Sequence, residues 1–154
     1  MPANANGVLY ALGGFSGSLS LYVKDGQLRY EYNLSEIGRT HITAKDNLPT
    51  GKVIEVESRL AVSKPGAALD VTLRVNGQIA AQGSVPITAA LGFTANDCLD
   101  IGSDLGSPVS EEYFDQAPLA FNGEDHHDQD HVSEEIGSYC RSRLKSALLS
   151  FSSE

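Results

Sequence analysis

The sequence predicts a mainly β protein, an antiparallel β-sandwich or jelly roll with one C-terminal α-helix. Short apolar runs with a period of two recur from residue 7 to about residue 102, and Gly-containing turns separate them. A helical apolar spacing occurs only after residue 133. The 154 residues suit a single domain, and a hydrophobic content of 41% suffices for one core.

Eight strands are predicted in order along the chain. They lie at 7–12, 18–24, 27–33, 39–44, 51–62, 69–75, 78–85 and 99–102. The run at 69–75 shows the pattern most regularly, because every second residue is Leu or Val and polar residues stand between them. Successive side chains of a strand point to opposite faces, so this run buries one face and exposes the other.

Two dipeptides, Asp25-Gly26 and Asn76-Gly77, each separate two of these runs. Such pairs readily adopt positive φ at both central positions of a type I′ turn, whose twist matches that of the flanking strands. We therefore predict a tight hairpin at each dipeptide. Lys64-Pro65-Gly66 is a further turn, which ends the run at 51–62.

The C-terminal part of the chain has a different pattern. Residues 124–132 are predicted to form an acidic linker rich in His and Asp, and residues 133–151 an amphipathic helix tail. Ser133 is a suitable N-cap, and the two glutamates that follow it suit the positive end of a helix dipole. The apolar residues after them recur with helical spacing, as expected of a helix with one buried face.

Acidic residues are concentrated in one segment of the chain. The formal net charge is −9, and residues 111–135 hold nine of the 20 acids and none of the 11 bases. The rest of the chain is charge-balanced and has no basic cluster, which argues against nucleic acid and anionic membranes as partners. Neither a membrane-spanning run nor a secretory signal is apparent, so a cytoplasmic location is expected.

Three histidines in the acidic linker, His126, His127 and His131, are of a type that binds metal ions. Imidazole and carboxylate groups together suit Zn²⁺, Ni²⁺ or Cu²⁺. Their spacing matches no standard metal motif, however, and a solvated acidic loop with incidental histidines is the preferred interpretation. A metal-binding tail remains the alternative at this stage.

A second acidic group, Asp97, Asp100 and Asp104, lies near the last predicted strand. Carboxylate oxygens at this spacing suit Ca²⁺. Asp residues in loops more often accept hydrogen bonds from backbone N–H groups, and we prefer that role here. The sequence therefore predicts no metal ligand and no cofactor.

The search for a catalytic nucleophile identifies no candidate. Cys98 stands among carboxylates that disfavour its thiolate, and Cys140 falls on the apolar face of the predicted helix. The two cysteines lie 42 positions apart. This separation permits a disulfide but does not indicate one, and a reduced state is the default expectation. His41 is the one histidine of the strand region, and no Gly-x-Ser-x-Gly elbow accompanies it. No catalytic residue is predicted, and the chain is not expected to be an enzyme on its own.

Six segments are distinctive in sequence and order. They are residues 7–14 (GVLYALGG), 21–26 (LYVKDG), 30–33 (YEYN), 48–51 (LPTG), 73–77 (LRVNG) and 100–110 (DIGSDLGSPVS). Together they resemble the C-terminal β-sandwich of a group of bacterial arylsulfatases, with a match over residues 7–123. The resemblance implies a concanavalin- or laminin-G-like domain over residues 1–123. In that family an apolar closing strand would follow Phe121-Asn122-Gly123, but this chain turns acidic there, so the closing strand is expected to be missing.

The resemblance also implies a function. In such enzymes a separate domain hydrolyses the sulfate ester, and its nucleophile is a formylglycine made within Cys/Ser-x-Pro/Ala-x-Arg. Here Cys140-Arg141-Ser142-Arg143 lacks the Pro or Ala, so no catalytic residue is transferred. The expected function is a non-catalytic accessory domain, or gene fragment, derived from an arylsulfatase. Expected partners are a sulfatase catalytic domain or chain, or a second copy through exposed sheet edges. A periplasmic location follows if the parent is exported.

The alternative function is a carbohydrate-binding module. Concanavalin-like sandwiches often bind glycans, and aromatic side chains exposed near loops supply the stacking surface. Tyr113, Phe114 and Phe121 are the candidates, and the chain contains no Trp.

Overall fold

The computed structural model describes residues 5–15, 17–50, 54–64, 66–89, 99–127 and 146–152. These residues form strands with two short 3-10 helices, Ser35–Ile37 and Glu111–Gln116. The strands are β1 (Gly7–Gly14), β2 (Gly17–Lys24), β3 (Gln27–Leu34), β4 (Gly38–Asn47), β5 (Ile54–Val62), β6 (Leu69–Val75), β7 (Gln78–Val85), β8 (Leu99–Ile101), β9 (Glu124–His127) and β10 (Ser146–Ser152). A mainly β protein is therefore confirmed.

The eight strands predicted from apolar alternation correspond to β1 through β8. Both predicted hairpins are confirmed as well. Asp25 and Gly26 have φ values of 53° and 78°, and Asn76 and Gly77 have values of 50° and 76°. All four residues thus adopt the positive φ that a type I′ turn requires. The register follows directly, with Lys24 opposite Gln27 at the first hairpin.

The strands form two five-stranded sheets. The first sheet has the order β4-β3-β2-β1-β8 and the second has the order β7-β6-β5-β10-β9. Each pair of neighbouring strands is antiparallel. One apolar cluster joins the sheets, because Leu21 and Tyr30 of the first belong to the same buried core as Val71 and Leu73 of the second. Removing these side chains from water supplies the main driving force for folding.

The prediction of a C-terminal helix over 133–151 is not confirmed. Residues 146–151 belong to β10, which pairs with β5 on one side and β9 on the other, and residues 133–145 lie outside the described residues. A short apolar run fits a buried strand as well as a helix, and the backbone groups of β5 provide a partner that local sequence does not reveal. Within the described residues, no helix has the length and apolar character that crossing a membrane requires.

The first residues of the predicted acidic linker form a strand in the structure, so the prediction of a linker is wrong there. Residues 124–127 form β9, the edge strand of the second sheet. This strand begins directly after Gly123, so the expectation that the chain lacks a strand there is wrong for residues 124–127. The remainder of the linker, 128–132, lies outside the described residues.

Candidate functional site

Several residues considered from the sequence fall outside the described part of the chain. These are Asp97, Cys98, His131 and Cys140. His126 and His127 lie in β9, where the backbone alone is described. The hypothesis of a metal-binding tail thus stays a prediction.

The other two aspartates considered as Ca²⁺ ligands bind backbone instead. Asp100 Oδ2 accepts a hydrogen bond from Leu105 N–H at 2.9 Å, and Asp104 Oδ2 accepts one from Val109 N–H at 2.9 Å. These contacts agree with the preferred interpretation that the carboxylates hold loop structure. Among the described residues, no group of three or more His, Cys, Asp or Glu side chains is placed to hold a metal ion.

The segment that contains these aspartates covers the outer face of the first sheet. We call residues 102–121 the covering segment. It is joined to β1 at both ends, because Gly102 N–H donates to Leu9 O at 2.9 Å and Val8 N–H donates to Leu119 O at 2.9 Å. A second, smaller apolar cluster lies beneath it, formed by Val8, Ala11, Tyr22, Val109 and Tyr113. The outer face is therefore covered by the chain itself.

Two tyrosines form the centre of this smaller cluster. The rings of Tyr22 and Tyr113 meet edge to face, with their centroids 5.1 Å apart. The Tyr113 hydroxyl donates to Asp104 Oδ2 at 2.7 Å and lies 3.1 Å from Ser20 Oγ. Tyr113 is 1% exposed, so a buried carboxylate and a buried phenol satisfy one another here.

Beside the tyrosines, one glutamate of the 3-10 helix Glu111–Gln116 collects three partners. Glu112 forms an ion pair with Arg29, accepts from the Tyr22 hydroxyl at 3.0 Å, and its backbone oxygen accepts from Lys24. Burial by itself raises the pKa of the Glu112 carboxyl, but the hydrogen bonds from Arg29 and Tyr22 and the nearby positive charges lower it below its ordinary value. Charge-assisted bonds thus fasten the helix to the sheet.

A second ion pair lies along the outer face of β3 and β4. Glu31 is fully buried, and Arg39 Nη1 donates to its Oε1 at 2.6 Å and to Val109 O at 2.7 Å. His41 stands opposite Glu31 in the register of the two strands, with Nδ1 3.6 Å from Glu31 Oε2. Because Arg39 contacts both the sheet and the covering segment, it ties the two together.

Burial raises the pKa values of four tyrosines above the ordinary value of 10.0. In each case the largest cause is the removal of the phenol from water, which penalises the charged form. The four are Tyr22, Tyr30, Tyr32 and Tyr113. The folded protein therefore holds these groups neutral at a pH where the unfolded chain ionises them.

We expect the free energy of unfolding to decrease as the pH rises above about 10. The stabilisation is fully present below the tyrosine pKa of the unfolded chain. It is lost as the pH rises toward the raised tyrosine pKa values of the folded protein, because the unfolded chain releases its phenol protons first. Each tyrosine adds a slope of about 1.4 kcal/mol per pH unit in that range. Urea unfolding at a series of alkaline pH values measures this dependence of the free energy of unfolding on pH, and tyrosinate absorbance follows the ionisation. Tyr113→Phe should reduce the slope by the contribution of one tyrosine. A free energy of unfolding that stays constant above pH 10 would contradict the expectation.

Two phenylalanines form an exposed pair at the edge of the covering segment. Phe15, in the turn between β1 and β2, is 45% exposed, and Phe114 is 52% exposed. Their ring centroids lie 6.3 Å apart in an edge-to-face arrangement, and the Arg39 guanidinium lies 5.2 Å from the centre of the Phe15 ring. Sequence reasoning missed Phe15, although an aromatic residue between Gly14 and Gly17 is an unusual turn residue.

The aromatic residues considered for carbohydrate binding have different surroundings. Phe114 is exposed, as that hypothesis requires, whereas Tyr113 is buried and Phe121 packs partly buried against the main core. The prediction that Tyr113 offers an exposed ring is therefore wrong. One of the three candidate stacking rings remains available.

The described residues thus define a protein of the mainly β class, with two antiparallel sheets and one outer face closed by the covering segment. No protein-family model matches the chain, and comparisons with curated proteins and with solved structures found no match either. On the closed face, the carboxylates of Glu31, Asp104 and Glu112 bind guanidinium groups, phenols or backbone N–H groups. The buried Ser18 Oγ has no hydrogen-bond partner among the described residues. The accessible feature beside that face is the aromatic pair.

Proposed function

We propose that this chain is a non-catalytic accessory β-sandwich of the concanavalin-like type, derived from a bacterial arylsulfatase, that packs against a sulfatase catalytic chain. The proposal builds on the six segments of sequence that resemble the C-terminal domain of those enzymes. No catalytic residue is assigned, and the role of the chain is to cover and stabilise a partner.

The observation that carries the proposal is that the residues of the 100–110 motif make contacts within the fold. In an accessory domain the distinctive residues should serve the fold rather than a substrate. Asp104 accepts from two groups of the covering segment, Val109 is fully buried, and Ser110 Oγ caps the 3-10 helix by accepting from Glu112 N–H at 3.1 Å. Gly102 has a φ of 73°, a conformation that favours glycine.

Other segments that resemble the arylsulfatase domain also lie where the backbone needs positive φ or a close approach. Gly7 has a φ of 127° and lies against the backbone of Phe121, while Asp25-Gly26 and Asn76-Gly77 form the two hairpins. These residues support a shared framework because a side chain or a different turn would disturb it. They carry no reactive group that a sulfatase mechanism would need.

The proposal predicts no turnover by the purified chain and a gain of function in a partner. The chain alone, with Ca²⁺ or Mg²⁺ and a chromogenic aryl sulfate, should release no product above the blank. Co-expressed with an arylsulfatase catalytic domain that lacks its own C-terminal sandwich, it should raise the soluble, active yield of that domain several-fold. A partner that binds only the folded catalytic domain stabilises it, and the stabilisation grows with the logarithm of the partner's concentration relative to its Kd.

The control for this experiment is co-expression with an unrelated acidic β domain of similar length. A rise that the unrelated domain reproduces would count against the proposal, as would an unchanged yield. Aryl sulfate hydrolysis that stays with the purified chain through repeated chromatography would contradict its non-catalytic character.

A further inference from the structure

The covering segment contributes few apolar side chains to the folded protein. Val109 and Tyr113 are its buried apolar residues, and Leu119 packs partly buried against the smaller cluster. The buried members of the main core all lie outside residues 102–121. Hydrophobic stabilisation is roughly proportional to the apolar area removed from water. Lifting the covering segment from the sheet therefore loses much less of this stabilisation than unfolding the main core.

Three buried polar atoms on the outer face of the first sheet have no hydrogen-bond partner among the described residues. They are Ser18 Oγ, Glu31 Oε2 and Asn33 Oδ1, and all three residues are 0% exposed. Ser18 lies opposite Asn33 in the register of β2 and β3, and Asn33 Nδ2 lies 3.5 Å from Val109 O of the covering segment. A buried polar atom without a partner loses its hydration uncompensated, which destabilises the structure that buries it. Water that reaches these atoms when the covering segment lifts would remove that penalty.

Asp104 links separate parts of the covering segment to one another. Its backbone N–H donates to Pro118 O at 2.9 Å. Its carboxylate accepts from Val109 N–H and from the Tyr113 hydroxyl. Because one residue holds both the middle and the end of the segment, these parts are expected to separate from the sheet together, as a cooperative unit does.

We propose that the covering segment opens as one unit, at a lower free energy than the unfolding of the main core, and thereby exposes the polar outer face of the first sheet. Opening breaks the small apolar cluster and hydrates the three unpartnered atoms, while the core between the two sheets stays folded. The opening is a property of the chain itself, so it holds with or without the partner proposed above.

Native-state hydrogen exchange of the full chain, at a series of low urea concentrations, tests this proposal. The amides of Asp104, Val109 and Leu119 donate hydrogen bonds within the covering segment and should share one opening free energy. They should be at least about tenfold less protected than the amides of Val71 and Leu73 in β6, and less sensitive to urea, because opening exposes less surface than unfolding. Equal protection of the two groups would overturn the proposal, as would unrelated free energies for the three segment amides.

Two serines of β2 provide a matched pair of variants. Ser18 and Ser20 are both 0% exposed on the outer face, but Ser18 Oγ has no partner among the described residues, whereas Ser20 Oγ lies 3.1 Å from the Tyr113 hydroxyl. Ser18→Ala removes an unpartnered atom and should slow exchange of the segment amides about fivefold. Ser20→Ala removes a partner and should speed it by about the same factor. Effects of the same sign in the two variants would contradict the energetic basis of the opening.

A substitution in the main core separates opening from unfolding. Val71 is 1% exposed and belongs to that core, which stays intact when only the covering segment opens. Val71→Ala should therefore speed exchange of the other β6 amides about tenfold or more and leave the amides of Asp104, Val109 and Leu119 unchanged. If the substitution speeds both groups by the same factor, the covering segment opens only when the whole protein unfolds, and the proposal is wrong.

Discussion

Gly7→Ala is expected to destabilise the protein by about 4 kcal/mol or more, or to prevent folding. An added Cβ would lie 2.2 Å from Phe121 Cα and 2.6 Å from Ala120 O, and these backbone atoms cannot rotate away. The φ of 127° adds strain for any residue with a side chain. Urea or thermal unfolding followed by circular dichroism measures the loss.

Two further glycines separate the steric clash from the backbone strain as causes of this loss of stability. Gly38 has an extended φ of 163° and no atom within 4 Å of an added Cβ, so Gly38→Ala should change stability little. Gly77 has a φ of 76° and equally open surroundings, so Gly77→Ala should cost about 1–2 kcal/mol from backbone strain alone. If Gly7→Ala proved as stable as Gly38→Ala, the close approach of β1 to the end of the covering segment would be refuted.

Asp104→Ala is expected to cost about 3 kcal/mol of folding stability. The substitution leaves Val109 N–H without its buried acceptor, and it leaves the Tyr113 hydroxyl with Ser20 Oγ, 3.1 Å away, in place of the carboxylate. The loss should also loosen the covering segment, which chemical denaturation and hydrogen exchange of the Val109 amide would register.

Asp100→Ala is the matched control, because it removes an aspartate of the same motif that accepts one exposed bond from Leu105 N–H. Its expected cost is below about 1 kcal/mol. In a double-mutant cycle, Tyr113→Phe should reduce the cost of Asp104→Ala, since the two side chains share a hydrogen bond. Equal losses for the two aspartates would count against a buried role for Asp104.

Local sequence was sufficient to predict the strands of the body. The alternation at 69–75 and the Asp25-Gly26 and Asn76-Gly77 dipeptides act over a few residues, and backbone geometry then determines where each strand turns. The same local reasoning was insufficient at 146–151. An apolar run of that length suits two structures, and pairing with β5, far away in the chain, decides between them.

The acidic block at 111–135 illustrates the same limit. From the sequence it is one charged segment, yet its first acids behave differently from one another. Glu112 is half-buried and pairs with Arg29. Glu111 is exposed and lies 3.6 Å from Arg39 Nε, whereas Asp115 is exposed. Net charge alone therefore did not describe how the covering segment is anchored to the sheet.

The sequence by itself determined the mainly β class, the main strands and the hairpin turns, and it favoured the backbone-binding role of Asp100 and Asp104. These depend on patterns of neighbouring residues, which stay the same in any tertiary setting. Tertiary structure alone decided that Tyr113 is buried, that Glu112 meets Arg29 across 83 residues of chain, and that Phe15 meets Phe114. These contacts form because the covering segment folds back over the first sheet. No local sequence pattern determines which of its residues lies against which residue of the sheet.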